Sequence, residues 1–316
     1  MSDADSGQPA SAAAPLTGFV GYDRIRVEVQ EDFVADDEPF VAVLRIRSTT
    51  GVPNSTRWEW VTASPSETAD VDEGETVDIP NDSGDAWFTD SLAVRTLDET
   101  QMIGMDTILT ADVMVSVAFV FEGDSGSPAD DVRILKSFTD PIVKSIAGIV
   151  EGAKIPFSVN ALKDRGQTTA AVKGLLATVK KVQVPNIDPS LIIGLINRFV
   201  EASGDPNDIV GIASTAFIPV SQDFISLLQR LGVGPESAEL LRAGEGDGNQ
   251  AWTQYETWYE DFELPYLGKL GKGYLSGEVW YGLITPSWVD DWMVVESRLP
   301  WQKRVRYWLN VTAAMR

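Results

Sequence analysis

Cysteine and histidine are both absent from the 316 residues. Without cysteine there is no disulfide, no thiolate nucleophile and no sulfur ligand. Without histidine there is no imidazole metal site and no Ser-His or Cys-His pair, and no side chain titrates near neutral pH at its ordinary value. Carboxylates, lysine, tyrosine and hydroxyl groups remain, and no nucleophile motif gathers them, so the expectation is of a non-enzymatic protein. Long apolar runs are lacking too. The uncharged stretch Ile209 to Gln222 is shorter than a membrane span and holds Pro219, which predicts a buried segment and no transmembrane segment. Residues Met1–Pro15 are small, polar and acidic, without the basic stretch and apolar core of a secretory signal. They predict a disordered leader over 1–18, with the cytoplasm as the default compartment.

Positive charge is scarce, and unevenly so. The chain carries 25 Lys and Arg against 47 Asp and Glu, a net charge of −22. Residues 1–131 hold 27 acidic against 6 basic side chains, a net of −21, and residues 132–316 hold 20 against 19, a net of −1. A field of that sign repels phosphate backbones and excludes nucleic acid as a partner of the first half. It suits cations, basic partners or plain solubility. With 44% hydrophobic and 23% charged residues, the rest of the composition is that of a globular chain.

From Tyr22 to Phe121 the sequence alternates and is rich in β-branched and aromatic residues. Arg24 to Val29, Phe40 to Ile46, Arg57 to Thr62, Thr76 to Ile79, Leu92 to Leu97 and Asp112 to Phe121 read as strands, parted by turn clusters such as Gly51-Val52-Pro53-Asn54. Short strands so punctuated suggest an antiparallel sandwich. After Asp131 the period changes. Asp140-Pro141 reads as an N-cap followed by proline at the first helical position, with Ile142, Ile146, Ile149 and Val150 on one face. Val172, Leu175, Leu176 and Val179 mark a second helix, Leu191 to Phe199 a third after Asp188-Pro189, and Phe224 to Leu231 a short fourth.

The last third holds seven of the ten tryptophans, from Trp252 to Trp308. Trp252 to Phe262 fits either helix or strand, with strand preferred. Gly268, Gly271 and Gly273 lack the glycine-lysine-hydroxyl spacing of a phosphate loop and predict a hairpin turn. Three Asn-x-Ser/Thr tripeptides, at Asn54, Asn81 and Asn310, carry little meaning without a secretory signal.

Two acidic loops could carry chemistry. Glu31 to Glu38 lies between the first two strands, and Glu122 to Asp131 follows the longest strand of the first half. Carboxylates so crowded repel one another unless a cation neutralises them, and flexible oxygen ligands suit calcium better than magnesium. The alternative is a pair of loops that only solvate the surface.

Asp37-Glu38-Pro39-Phe40-Val41, and Glu122-x-Asp124 followed by Asp130, resemble the calcium-binding loops of the C2 family over roughly residues 20–135. The inserted Glu38, and Glu122 in place of an aspartate, depart from that pattern. The resemblance implies a β-sandwich with Asp32, Asp37, Glu122, Asp124 and Asp130 as calcium ligands, and a protein or membrane surface as partner. Asp98, Glu99 and Asp106, or Asp205 and Asp208, would contribute further oxygens.

The combined expectation is an α+β chain in four parts: leader 1–18, C2-like antiparallel β-sandwich 19–135, helical insertion 136–243 and C-terminal aromatic β segment 244–316. Calcium-dependent binding without catalysis is the expected function. The rivals are a structural or assembly protein with a solubilising acidic face, and a carbohydrate-binding protein using the C-terminal tryptophans.

Overall fold

The computed structural model describes residues 17–30, 38–63, 71–79, 86–88, 93–96, 107–123, 128–156, 165–182, 190, 193–195, 197–198, 208–219, 253–266, 268–284, 289–300 and 303–315. The expected leader lies almost wholly outside them, as do residues 224–231. The strands are β1 Thr17–Val29, β2 Pro39–Thr49, β3 Arg57–Ala63, β4 Thr76–Asp78, β5 Ala86–Phe88, β6 Ala93–Thr96, β7 Thr107–Thr110 and β8 Asp112–Glu122, followed by β9 Ile155–Pro156, β10 Asp208–Pro219, β11 Thr253–Tyr266, β12 Lys269–Ile284, β13 Val289–Arg298 and β14 Arg304–Met315. Among the described residues the helices with defined bounds are α1 Pro128–Ser137, α2 Thr139–Gly152 and α3 Arg165–Lys181, and residues 190, 193–195 and 197–198 are helical as well.

Most strands join one sheet in the order β3-β2-β8-β10-β12-β13-β14-β1-β4, with β11 on β12 and β5 on β1; β6, β7 and β9 form a second, small sheet. The large sheet is mixed, which corrects the expectation of a purely antiparallel one. β10 and β12 pair in parallel, Ser214 to Pro219 beside Val279 to Ile284. Parallel neighbours need a long crossover. Residues 220–268 provide it, and they contain β11, which reverses into β12 through a hairpin.

The sheet curls because β12 is shared. Its residues 274–277 pair with β13, while residues from Val279 onward pair with β10 on that same side. β10 shifts register between Ile209 and Gly211 as it passes β13. A Cβ on Gly211 would lie 2.7 Å from Val295 Cβ and 2.8 Å from the Ser276 carbonyl oxygen, so only glycine fits. Curling brings β2, β8 and β10 opposite β13, β14 and β1. Val43, Ala118 and Phe217 from the first group share a buried core with Met293, Leu309 and Ile25 from the second.

A second core lies on the other face of β2, β8 and β10, where Leu44, Val117 and Ile212 meet helix residues Ile146, Leu175 and Val179. The expected stripes of α2 and α3 thus pack on the sheet. Helix α2 starts one residue before the expected cap: its N-cap is Phe138, and Asp140 sits in its first turn. Trp60 Nε1 donates to the buried Thr139 hydroxyl at 2.8 Å, tying the helix start to β3. At the other end Glu151 accepts bonds from the Asn54 and Thr56 backbone N–H groups, both at 2.9 Å, and from the Thr56 hydroxyl at 2.6 Å. The left-handed Gly51 (φ +69°) donates its N–H to the Val150 carbonyl at 3.2 Å. The β2–β3 turn is therefore held by α2.

The aromatic C-terminal segment completes the same sheet, since β12 pairs with β10 and β14 with β1. β11 is a strand, and Gly268 (φ +75°) sits in the β11–β12 hairpin turn that the glycine spacing predicted. Among the described residues no helix is long and apolar enough to cross a membrane.

Candidate functional site

β2 begins, β8 ends and β10 begins at one end of the sheet, where Pro39, Glu122 and Asp208 form a row of cross-strand neighbours. The Gly123 N–H donates to the Glu38 carbonyl at 3.1 Å. This bond joins the start of the connection carrying Asp124 to the end of the one carrying Asp32 and Asp37. The connection carrying Asp205 enters β10 in the same row. Three acidic chain segments are thereby anchored side by side.

Of the expected ligands, Glu122 is the one whose side chain is described. It is 4% exposed, at the end of a strand buried along its whole length. Asp208 is the residue directly opposed to Glu122 in the register of β10 and β8. Asp32, Asp37 and Asp124 lie outside the described residues, as do Asp98, Glu99, Asp106 and Asp205. Asp130 is on α1 and not on a loop. Pro128 suits a first helical position and acidic residues suit the positive end of the helix dipole, so the helix begins within the acidic run. Among the described residues no three acidic side chains form a group able to hold a metal. Glu122 fits a hard cation as one buried oxygen donor; the six to eight oxygens calcium takes would have to come from the three connections around it.

Deeper in the curled sheet lies a layer of polar groups. Tyr22 Oη and Ser116 Oγ are 3.0 Å apart, and burial pushes the Tyr22 phenol up from its ordinary value. Arg45 is buried, with Glu59 3.7 Å away. Asp112 accepts from Arg47 Nε at 3.0 Å and from the Thr49 hydroxyl at 2.6 Å. These groups tie β1, β2 and β8 together, and their burial suits them to holding strands rather than to turnover.

The outward face of β11–β14 and β1 has a different character. Arg306 Nε lies 3.2 Å from Glu28 and 3.6 Å from Glu296, and Arg304 lies 2.6 Å from Glu296. Tyr274 donates its hydroxyl proton to Glu296 at 2.6 Å; burial and that carboxylate push its pKa up to about 12. Tyr259 stacks on Tyr274 with ring centroids 5.2 Å apart. Arg24 lies over the Trp292 ring and Arg306 over the Trp308 ring, at 5.3 and 5.6 Å, while Trp308 Nε1 donates to Glu28. Arg24 also pairs with Asp290 at 3.5 Å. Helix residues enter the core on the far face of β2, β8 and β10 and, among the described residues, none enters the core that these strands share with β13, β14 and β1. This face was not anticipated from the sequence, although the alternation Arg304-Val305-Arg306-Tyr307-Trp308 carries its signal.

At the sheet's other margin, Lys180 of α3 bonds Glu256 of β11, which also accepts the Tyr281 hydroxyl proton at 2.8 Å. The Lys180 bond holds the Glu256 carboxyl below its usual range against the effect of burial, and the Glu256 bond holds the ammonium above its own. A lysine kept charged in this way is a tie between helix and hairpin, not a nucleophile. Compared with known proteins, the chain matches no family model, no curated protein and no solved structure.

Proposed function

We propose that this chain is a non-enzymatic binding module whose acidic sheet end takes a divalent cation of the calcium class. The supporting observation is the shared anchoring of three acidic connections, through the Glu38–Gly123 backbone bond and the Pro39–Glu122–Asp208 row. A cation there would turn carboxylate repulsion into attraction, order the connections and create a docking face. The resemblance to C2 loops points the same way, and the two facing stretches of the curled sheet support a sandwich-like reading of the fold. The tryptophans give less support to carbohydrate binding, since Trp280 is buried and arginines lie over Trp292 and Trp308.

Calorimetry and thermal melts of the full chain with and without calcium test the proposal. A ligand that binds only the folded state raises its stability. Millimolar calcium is expected to raise Tm, and Glu122→Gln with Asp208→Asn to abolish the rise while leaving the metal-free chain folded. Neither heat nor a shift in the parent chain would remove calcium from the account.

A further inference from the structure

We propose that the outward face of β11–β14 and β1 is the surface on which a second copy of this chain docks, about a two-fold axis. Two of the three large hydrophobic side chains most exposed among the described residues belong to it: Tyr259 at 57% and Leu270 at 70%. Leu270 and Tyr274 are four residues apart on β12 and so point to the same side, where Tyr259 stacks on Tyr274. Tyrosine, tryptophan and arginine, the types found here, are those that dominate binding energy at protein interfaces.

Charge selects the partner. The chain carries −22 in all, so most approaches between two copies are repulsive. On this face the charges alternate: Arg306 stands between Glu28 and Glu296, and Arg24 stands beside Asp290. A surface that holds both signs in alternation is complementary to itself when rotated by a two-fold, which an isologous interface requires. Area agrees. Five strands about 4.8 Å apart, with about ten residues each rising about 3.3 Å, span roughly 800 Å². That is about what each partner of a stable complex buries. The face is also already ordered by its own ion pairs and cation–π contacts, which lowers the entropy lost on docking.

Sedimentation velocity of the full chain in the presence of chelator, over rising concentration, is the test. A concentration-dependent dimer is expected. Tyr259→Arg and Leu270→Arg, whose side chains stand largely in solvent, should each weaken it by about tenfold or more, with the melting temperature unchanged at concentrations where the parent chain is monomeric. Trp58→Arg removes the third exposed hydrophobic, on β3, and should leave the dimer intact. A chain that stays monomeric at every concentration overturns the proposal. So does a dimer that survives both Tyr259→Arg and Leu270→Arg, or one lost only with Trp58→Arg.

Discussion

β8 and β14 are strands of similar length in the same sheet, and they are written in different alphabets. β8 reads Asp-Val-Met-Val-Ser-Val-Ala-Phe-Val-Phe-Glu and is buried at every position. β14 reads Arg-Val-Arg-Tyr-Trp-Leu-Asn-Val, with Val305, Tyr307, Leu309 and Val311 buried and Arg304, Arg306 and Trp308 turned outward. The difference follows from what covers each stretch. β8 has the curled sheet on one side and helices on the other, so both sets of side chains must be apolar, whereas β14 from Arg304 to Trp308 has protein on one side only; beyond it Asn310 and Thr312 are buried as well. The local pattern therefore reports how many faces of a strand are covered. It does not report which strand lies beside it.

The widest break in that comparison should come from matched truncations. Phe121 is fully buried and stacks on Phe40 with ring centroids 4.8 Å apart. Phe121→Ala should cost about 3–5 kcal/mol of unfolding free energy through lost burial and the cavity left behind. Arg26 lies opposite Trp308 on the open face and is exposed; Arg26→Ala should stay within about 0.5 kcal/mol. Urea titrations of both variants measure the pair. Similar costs would mean that the two stretches are not differently covered.

Where the two stretches meet, the margin is smaller but still clear. Gly211→Ala places a methyl against Val295 and the Ser276 backbone, and overpacking of this kind costs about 1–3 kcal/mol. Gly74 has a left-handed φ of +92° but open space around it. A substitution there acts through local backbone strain alone and should leave the fork between β10 and β13 unaffected. Amide exchange on β10 and β13 separates the two: only Gly211→Ala should loosen both strands together.

Several elements were legible because their signal is local. The β-branched and aromatic runs of β1, β2 and β8 and the apolar stripes of α2 and α3 stand in the sequence as strands and helices, although β2 and β8 are buried almost throughout instead of alternating. What lay beyond reach was set by distant partners. Thr139 lies just inside the start of α2 because Trp60, on β3, donates to its hydroxyl. The parallel pairing of β10 and β12, and the division of β12 between two partners, depend on chain paths that alternation cannot encode. At the acidic end, Glu122 and Asp208 were both marked beside the resemblance to C2 loops, but their adjacency is a fact of register between strands, 86 positions apart. On the open face, Arg24 over Trp292 likewise joins β1 to β13, and the Trp308 bond to Glu28 joins β14 to β1.

The finest distinction between the two stretches is in their response to pH. In the helix-covered half, burial raises the Glu151 carboxyl, but bonds from Thr56 and Asn54 outweigh it, so its folded value lies below the ordinary 4.5. At the fork on β12, burial raises Glu278 and nearby Asp291 adds to the rise, against the Val294 N–H and Arg306, and the net value lies above 4.5. The two act with opposite sign. A carboxyl raised in the fold takes its proton before the unfolded chain does, so stability due to Glu278 increases as pH falls from its folded value toward 4.5. A carboxyl lowered in the fold stabilises above 4.5, and that contribution is lost as pH falls below 4.5 through its folded value; Glu256 and Glu296 add to the same loss. Denaturant titrations at closely spaced pH values should show a shallow gain above 4.5 and a loss below it. Glu278→Gln should flatten the gain and leave the loss in place. Glu151→Gln should reduce the loss and leave the gain. If Glu278→Gln changes only the acid limb, the carboxyl at the fork is not the group that carries the gain, and the two halves do not differ in the way their burial implies.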